Sequence, residues 1–463
     1  MHVDLSNDAP DIGLAVQRPI SKTAALYNCG VKRQAVAEPV NKCVPVSHAF
    51  TLSAVTEKTL YEVKMFNKRE KYNKRILSVF LVLIFAMANR LNSSDKNSKL
   101  LEEILLHLPA KFENIVKNPE SFRLQILYTQ VDRDENNRPN FSTYSFRNTP
   151  NEYFYPASTI KLPTAVLALE KARKNKNITA NTQFLIDNQK EELKKIYNKN
   201  SDLNDKYRIS DLIHKIFVVS DNDAYNYLFE YLGRDHINKR LWSLGYKNAI
   251  IRHRLQHTLS DDLNAYTNPI YFYKNGKVIE KQKPTISDLN FEIAYKNYQI
   301  GNSRFENGVI INEPMDFSTK NFMSLHDQHQ FLIRLMFPEN FKADNSLVLT
   351  EEDYHLLYRE MSVLPKESQN PKYLDYKSFY DGFTKFFIYG DTKDRIPENI
   401  KIFNKSGLAF GFALDNAYII DTSNNIEFFL SAVIYTNENK VINDDHYEYE
   451  SLGIPFLSNL GKI

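Results

Sequence analysis

Residues Tyr155 to Pro163, with the sequence YPASTIKLP, decide how the rest of the chain is interpreted. They predict a loop that enters a helix, with Ser158 at the start of the helix and Lys161 three residues later. Three residues are just under one helical turn, so both side chains leave the helix on one face. A serine hydroxyl needs an adjacent base to act as a nucleophile, and a lysine whose pKa is lowered by burial can be that base.

Apolar residues after Lys161 predict that this helix is buried and holds the pair rigidly; they are Ala165, Val166, Leu167 and Leu169. The alternative is that Ser158 only caps the helix and that Lys161 is a solvated surface residue. The segment alone does not decide between these interpretations, so the other candidate motifs matter.

A second motif, Ser220-Asp221-Asn222, lies between helical segments. The Ser220 hydroxyl can relay a proton, and the Asn222 amide can bond both a substrate and a lysine. We expect Asp221 to be structural, holding the loop through local backbone bonds. The alternative is an ordinary turn or helix cap rich in Asx residues.

A third motif, Lys405-Ser406-Gly407, is predicted to end one strand just before another. Lys405 offers a cation for a substrate carboxylate, and Ser406 places a hydroxyl beside it. Gly407 leaves room for a ligand against the strand edge. The alternative is a simple turn between strands.

Composition argues for a globular protein of 463 residues, enough for one large or two ordinary domains. Hydrophobic residues make up 43% and charged residues 25%, while the net charge is only +3. Basic residues are scattered, so nothing favours nucleic-acid binding. Both cysteines precede residue 65, which excludes a disulfide framework, a thiol nucleophile and a cysteine metal site from the main body.

Residues 65–88 have the three parts of a secretory signal sequence in order. Met65 precedes a basic run, an apolar run follows over residues 76–87, and Ala86-Met87-Ala88 provides a cleavage site. The alternative is a short anchor or a buried helix. We expect a secreted or periplasmic protein that meets the membrane only through this segment, and an upstream segment, residues 1–64, that is disordered or precedes the true start at Met65.

The order of predicted elements indicates an α/β protein of the α+β type over residues 89–463. Strands are predicted near both ends, at 122–131, 141–146, 401–404, 411–420 and 426–435, and helices in between. We expect one antiparallel sheet built from both ends, flanked by helices, with an all-helical lobe inserted. Residues 266–311 are interpreted as an insertion with a hairpin at 273–277. Such a design places a cleft at the lobe boundary.

In this order and spacing, the three motifs resemble the signature S-x-x-K, S-D-N, K-[TS]-G of the serine β-lactamase and penicillin-binding protein superfamily. Ser158 and Ser220 are 62 residues apart, and Ser220 and Lys405 are 185 apart. The resemblance is closest to class A β-lactamases, including the proline two residues after Lys161. It implies the β-lactamase/transpeptidase fold.

The resemblance also implies roles. Ser158 would attack the lactam carbonyl with Lys161 as the candidate base, and Ser220 would protonate the lactam nitrogen. Asn222 would bind the acylamide side chain. The substrate carboxylate would be held by Lys405 and Ser406, and the oxyanion by the backbone N–H groups of Ser158 and Leu408, at about 3 kcal/mol for each donor.

One part of the class A pattern departs. The E-x-x-L-N segment, whose glutamate activates the deacylating water, corresponds to Ser260-Asp261-Asp262-Leu263-Asn264. Serine replaces the glutamate, which leaves the shorter Asp261 or Asp262 as candidate bases. The replacement therefore bears on deacylation, and so on turnover, but not on acylation.

Three functions stay open at this point: a β-lactamase, a D-alanyl-D-alanine peptidase or transpeptidase, and a penicillin- or muropeptide-binding sensor that does not turn over. All three act as monomers on a small β-lactam or a peptidoglycan peptide and need no cofactor or metal. His253 and His257 have i, i+4 spacing, but no carboxylate partner completes a metal site.

Overall fold

The computed structural model describes residues 99–197, 206–342 and 346–463. The predicted upstream segment, the signal sequence and both cysteines lie outside these ranges. Within the described residues, no helix combines the length and apolar character needed to cross a bilayer.

Twelve helices, α1 to α12, are numbered in chain order across the described residues. They span 99–105, Glu113–Lys117, Lys161–Arg173, Glu191–Tyr197, Ile209–Val218, Asn222–Leu232, Arg234–Ser243, Asp261–Ala265, Leu325–Met336, Glu351–Ser362, Phe386–Tyr389 and Ile454–Leu460.

Sixteen strands, β1 to β16, are numbered in the same way. They span Gln125–Arg133, Pro139–Phe146, Gln183–Ile186, Tyr207–Arg208, Tyr266–Thr267, Ile270–Lys274, Lys277–Gln282, Thr285–Ile286, Gln299–Ile300, Ser303–Glu306, Val309–Ile311, Met315–Asp316, Ile400–Ala409, Phe412–Asp421, Ile426–Tyr435 and Val441–Ile442.

The central sheet combines two early strands with three late ones in the order β13-β14-β15-β1-β2. Every pairing in it is antiparallel. Ile126 of β1 lies opposite Ala432 of β15, about 300 residues later in the chain, a separation typical of non-local sheet pairing. The prediction of one antiparallel sheet built from strands near both ends is confirmed.

Both faces of this sheet are covered because neighbouring residues of a strand point to opposite sides. On β15, Leu430 and Ala432 belong to the core formed with α1 and α12. Phe429, the residue before Leu430, packs with α3 and α9 on the other face. The sheet is therefore a rigid middle layer, and its edge strand β13 can hold functional groups in place.

The sequence predicts an all-helical inserted lobe, and this prediction is wrong. The lobe contains α4 to α7 but also a four-stranded sheet in the order β4-β3-β6-β7. The hairpin of β6 and β7 confirms the predicted turn, where Asn275 and Gly276 both have positive φ, as a two-residue hairpin turn requires. Strand β3 was missed because its four residues are held by pairing with β6, a long-range contact that local pattern does not reveal.

Strand β13 is longer than predicted. The sequence suggested that it ends near the Lys405 motif, but it continues through the motif to Ala409 and pairs with β14 along its whole length. The motif therefore lies within the edge strand and not in a turn.

Candidate active site

Ser158 lies on a short 3-10 turn, Ala157–Ile160, that leads directly into α3. Ala157 has φ of 47°, a left-handed conformation that costs a non-glycine residue roughly 1 kcal/mol or more. Such strain is retained where surrounding structure imposes it, often at functional sites. Here it sets the direction of the chain immediately before Ser158.

Lys161 is completely buried at the start of α3. Its Nζ donates to Asn222 Oδ1 at 2.7 Å and to the main-chain carbonyl of Ser220. Burial lowers the pKa of Lys161 to about 7, against a partial opposing effect of Asp221 and Asp223. A substantial fraction of this lysine is therefore a neutral amine near neutral pH, as a general base requires.

Ser220 lies between α5 and α6 with φ of 60°. Its Oγ accepts a hydrogen bond from Lys405 Nζ at 2.8 Å and lies 3.4 Å from Lys161 Nζ. Next to it, Asp221 caps α6 by accepting from the N–H of Ala224 at 2.7 Å, the structural role expected for it. The three sequence motifs thus meet at the hydroxyl of Ser220.

Strand β13 brings Lys405 and Gly407 to this site. Lys405 Nζ also donates to the carbonyl of Ser406 at 2.8 Å, and burial together with Lys161 holds the pKa of Lys405 well below its usual range. A Cβ on Gly407 would lie 2.7 Å from the backbone nitrogen of Ser158 and 2.9 Å from Ala157 Cβ. Only glycine lets the strand approach the Ser158 turn so closely.

This close approach yields a prediction. Gly407→Ala must push β13 away from Ser158, because the added methyl would collide with backbone atoms, and misplacement by about 1 Å costs roughly 10²-fold in rate. The measurement is the rate of covalent labelling by a fluorescent penicillin. Gly276→Ala strains a hairpin glycine with φ of 75° but open space around its Cβ position, so it is the control for a general loss of stability and should label normally. Labelling of Gly407→Ala at the wild-type rate would contradict the inferred contact.

Ser406 has a different partner from the one expected. It is buried, and its Oγ donates to the carbonyl of Thr384 at 2.9 Å. In this geometry its proton is not available to a substrate. Binding of a carboxylate by Ser406 stays a prediction, and it requires the hydroxyl to change partner.

A cleft of about 610 Å³ opens beside Ser158, within the range of small-molecule sites. Ser158, Asn222 and Leu408 all line it, whereas the buried Lys405 and Ser406 do not. Because β13 is an edge strand, alternate N–H groups along it point away from β14.

Gln256 is a site residue that the sequence did not reveal. It lines the cleft, and its Oε1 accepts from Asn222 Nδ2 at 3.0 Å, so it orients the amide whose oxygen accepts from Lys161. Gln256 has φ of 67° and lies in a loop without regular structure. No local motif marks it.

The segment 260–264 uses its polar groups internally. Ser260 caps the short α8, accepting from the N–H of Leu263 at 3.2 Å. Asp261 accepts from Arg234 at 3.0 Å and from Arg252 at 2.8 Å, and these hydrogen bonds outweigh burial and lower its pKa. Asn264 is buried and holds the N–H of Arg254 at 3.0 Å.

Asp261 therefore lines the cleft but is committed to two guanidinium groups. A carboxylate with a lowered pKa is a weaker base than a free one. Its assignment as the deacylating base stays a prediction to which this geometry gives no support.

His253 and His257 do not share a helical face, because the chain between them has no regular structure. His253 Nδ1 donates to the carbonyl of Arg254 at 2.6 Å, and its Nε2 accepts from the N–H of Asn321 at 3.3 Å. Burial lowers the pKa of His253 to about 4. Its partners identify it as a residue that links the loop to the segment before α9.

The chain is similar to known β-lactamases. The model of the "Beta-lactamase enzyme family" matches residues 108–346. No curated protein matches the chain.

Among solved structures, TLA-1 extended-spectrum β-lactamase is similar at 13% identity and a TM-score of 0.45, over 80% of this chain and 97% of that one. The β-lactamase from Desulfarculus baarsii DSM 2075 is similar at 13% identity and a TM-score of 0.44, over 76% and 96%. The chromosome-encoded β-lactamase of Vibrio parahaemolyticus is similar at 15% identity and a TM-score of 0.42, over 76% and 96%.

Proposed function

Because this chain belongs to the β-lactamase enzyme family, we propose that it is a serine hydrolase that opens β-lactam rings through an acyl-enzyme on Ser158. The observation that carries this proposal is the double contact at Ser220, whose Oγ lies 2.8 Å from Lys405 Nζ and 3.4 Å from Lys161 Nζ. One segment supplies the nucleophile and the base, a second supplies the proton relay, and a third supplies Lys405, while Ser158 lines the cleft.

The proton path follows from the hydrogen bonds. Neutral Lys161 has two N–H groups and one lone pair, and two carbonyl oxygens, of Ser220 and Asn222, take the N–H groups. The lone pair remains to accept the proton of Ser158 as its oxygen bonds to the lactam carbonyl.

Ring opening then needs a proton on the lactam nitrogen. Ser220 Oγ accepts from Lys405, so its own proton points elsewhere and can pass to that nitrogen when the carbon–nitrogen bond breaks. The proton that Lys161 took replaces it across the 3.4 Å contact. The developing oxyanion is held by the N–H groups of Ser158 and Leu408. The backbone at these two residues is close together, because Gly407 packs directly against the backbone nitrogen of Ser158.

The pKa of Lys161 yields a prediction for pH dependence. The base is the neutral amine, so the acylation rate should rise with pH through about 7 and level off above it. Below that point the rate should fall about tenfold per pH unit as the amine is protonated. Stopped-flow acylation by a chromogenic cephalosporin measures this profile. A rate that is flat or that falls across the same interval would contradict a lysine base.

A second candidate function is supported by Asp261. Its two arginine partners and the serine at position 260 leave the cleft without the glutamate that activates the deacylating water in class A enzymes. On this observation the acyl-enzyme would persist, and the protein would act as a penicillin- or muropeptide-binding sensor.

One experiment separates these functions. The protein is mixed with excess chromogenic cephalosporin, and ring opening is followed beyond one equivalent. Sustained hydrolysis supports a β-lactamase, and a burst of one equivalent supports a protein that stays acylated. After such a burst, release of D-alanine from a peptide ending in D-Ala-D-Ala would identify a peptidase, and its absence a sensor. No ring opening at all would reject every version.

We also propose that the protein is exported through residues 65–88, an interpretation supported by the basic, apolar and A-x-A order of that segment. Intact mass of the natural protein tests this. A mature form that begins after Ala88 is expected, and peptides from residues 1–64 in that form would contradict it.

A further inference from the structure

The cleft extends well beyond the reacting groups. Strand β13 passes Ser158 at Gly407 and ends at Ala409, and Phe410 follows. At a rise of about 3.3 Å per residue, Phe410 lies roughly 10 Å further along the strand than Gly407. Room for a substituent of the substrate therefore exists between the nucleophile and the Phe410 end of the cleft.

Two segments close the Phe410 end. Phe317 packs edge-on against the Phe410 ring with centroids 5.3 Å apart, which brings Thr319 and Lys320 to the cleft. On the other side, the Tyr449 hydroxyl accepts from the N–H of Gly411 at 2.7 Å. This end is thus formed by fixed elements and not by Ser158 or the lysines of the motifs.

Most charged groups that line the cleft are already neutralised. Arg254 is paired with the buried Glu230. Asp261 is paired with Arg234 and Arg252. These pairs hold the wall of the cleft together and offer little net charge to a ligand.

Lys320 differs from those groups. It is half-buried, lines the cleft, and has no hydrogen bond or ion pair from its ammonium within the described part of the chain. Burial alone lowers its pKa, without a contribution from any carboxylate. The other charged residue on this wall is Asp445, which has an interaction of its own. A partly desolvated cation without a counter-ion is stabilised when an anion enters.

We propose that Lys320 binds an anionic group on the acyl side chain of the substrate, at the Phe410 end of the cleft. This inference rests on the proposed acylation of Ser158 and adds the substrate class: β-lactams or peptides whose side chain carries a carboxylate. Leu408 lies between Gly407 and Phe410 along the chain and lines the cleft, so the side chain can pass from one end to the other.

The test uses three penicillins that differ only in the substituent on the side-chain α-carbon: benzylpenicillin (hydrogen), its α-carboxy analogue, and its α-amino analogue, ampicillin. The second-order acylation rate constant is measured for each with the full chain. In wild type we expect this rate constant to be highest for the carboxy compound, lower for the hydrogen compound and lowest for the amino compound. In Lys320→Met, the ratio of the carboxy to the hydrogen compound should fall about two- to fivefold, as expected for losing one partly exposed ion pair.

Two further variants isolate the charge. Lys320→Arg should keep most of the preference, and Lys274→Met, at an exposed lysine of β6, should leave the ratio unchanged. An unchanged ratio in Lys320→Met, or a wild-type preference for the amino compound, which would point to Asp445, overturns the proposal. Failure of benzylpenicillin to acylate at all would instead reject the proposed function.

Discussion

Ser158→Ala is expected to abolish covalent labelling by penicillin and to reduce β-lactam ring opening by about 10³-fold or more, since removal of a nucleophile leaves only the binding and electrostatic contributions of a site. The other groups of the site should stay in place, because the Ser158 turn is fixed by Gly407 and by α3 rather than by the hydroxyl. Intact mass spectrometry after incubation with benzylpenicillin measures the adduct directly.

Ser260→Ala is the matched control for this loss. Ser260 is a second serine near the cleft whose hydroxyl only caps α8, so its removal should cost about 1 kcal/mol of stability and leave the adduct intact. An adduct that persists in Ser158→Ala, or that disappears in Ser260→Ala, would show that the nucleophile has been misassigned.

Lys161→Met is expected to slow acylation by about 10²- to 10⁴-fold, the usual contribution of a general base. Lys161→Arg should be equally slow, because it keeps a positive charge but cannot be deprotonated. The two variants together separate the base from a merely electrostatic role. The rate is measured by stopped flow above pH 8, where the wild-type amine is neutral.

Lys171→Met provides the control for burial. Lys171 lies on the same helix, and burial lowers its pKa to about 8, but its Nζ donates to Gln282 Oε1 at 2.9 Å on the far side of the lobe. It should lose stability without losing acylation. Wild-type rates in Lys161→Arg would contradict the base assignment, whatever the thermal stability of the variant.

Much of the fold could be predicted because its signals are local. Strands β14 and β15 are largely apolar runs buried on both faces, and they follow from residue pattern alone, as does the turn at Asn275 and Gly276. Helix α10 begins at a capping box formed by Thr350 and Asp353, which sequence also marks.

The site could be predicted only in outline, because its finer contacts are made by residues far apart in sequence. The motifs identified Ser158 and both lysines, but nothing near Ser406 indicated that its proton goes to Thr384. Likewise the sequence suggested that Asp261 could act as a base, whereas in the fold Arg234, 27 residues earlier, donates to its carboxylate.

Gln256 is another site residue that local sequence does not reveal. Its left-handed backbone turns the side chain toward Asn222, and such a conformation in a loop depends on the contacts at both ends of that loop. Asparagine or glycine would have marked the position in sequence, whereas glutamine does not.

A crystal structure of the protein after reaction with benzylpenicillin tests the central claim most directly. We predict an ester on Ser158 Oγ, with the nitrogens of Lys161 and Lys405 both within hydrogen-bonding distance of Ser220 Oγ. An ester on any other residue, or the two lysine nitrogens on separate surfaces, would contradict the assignment of these three segments to one catalytic site.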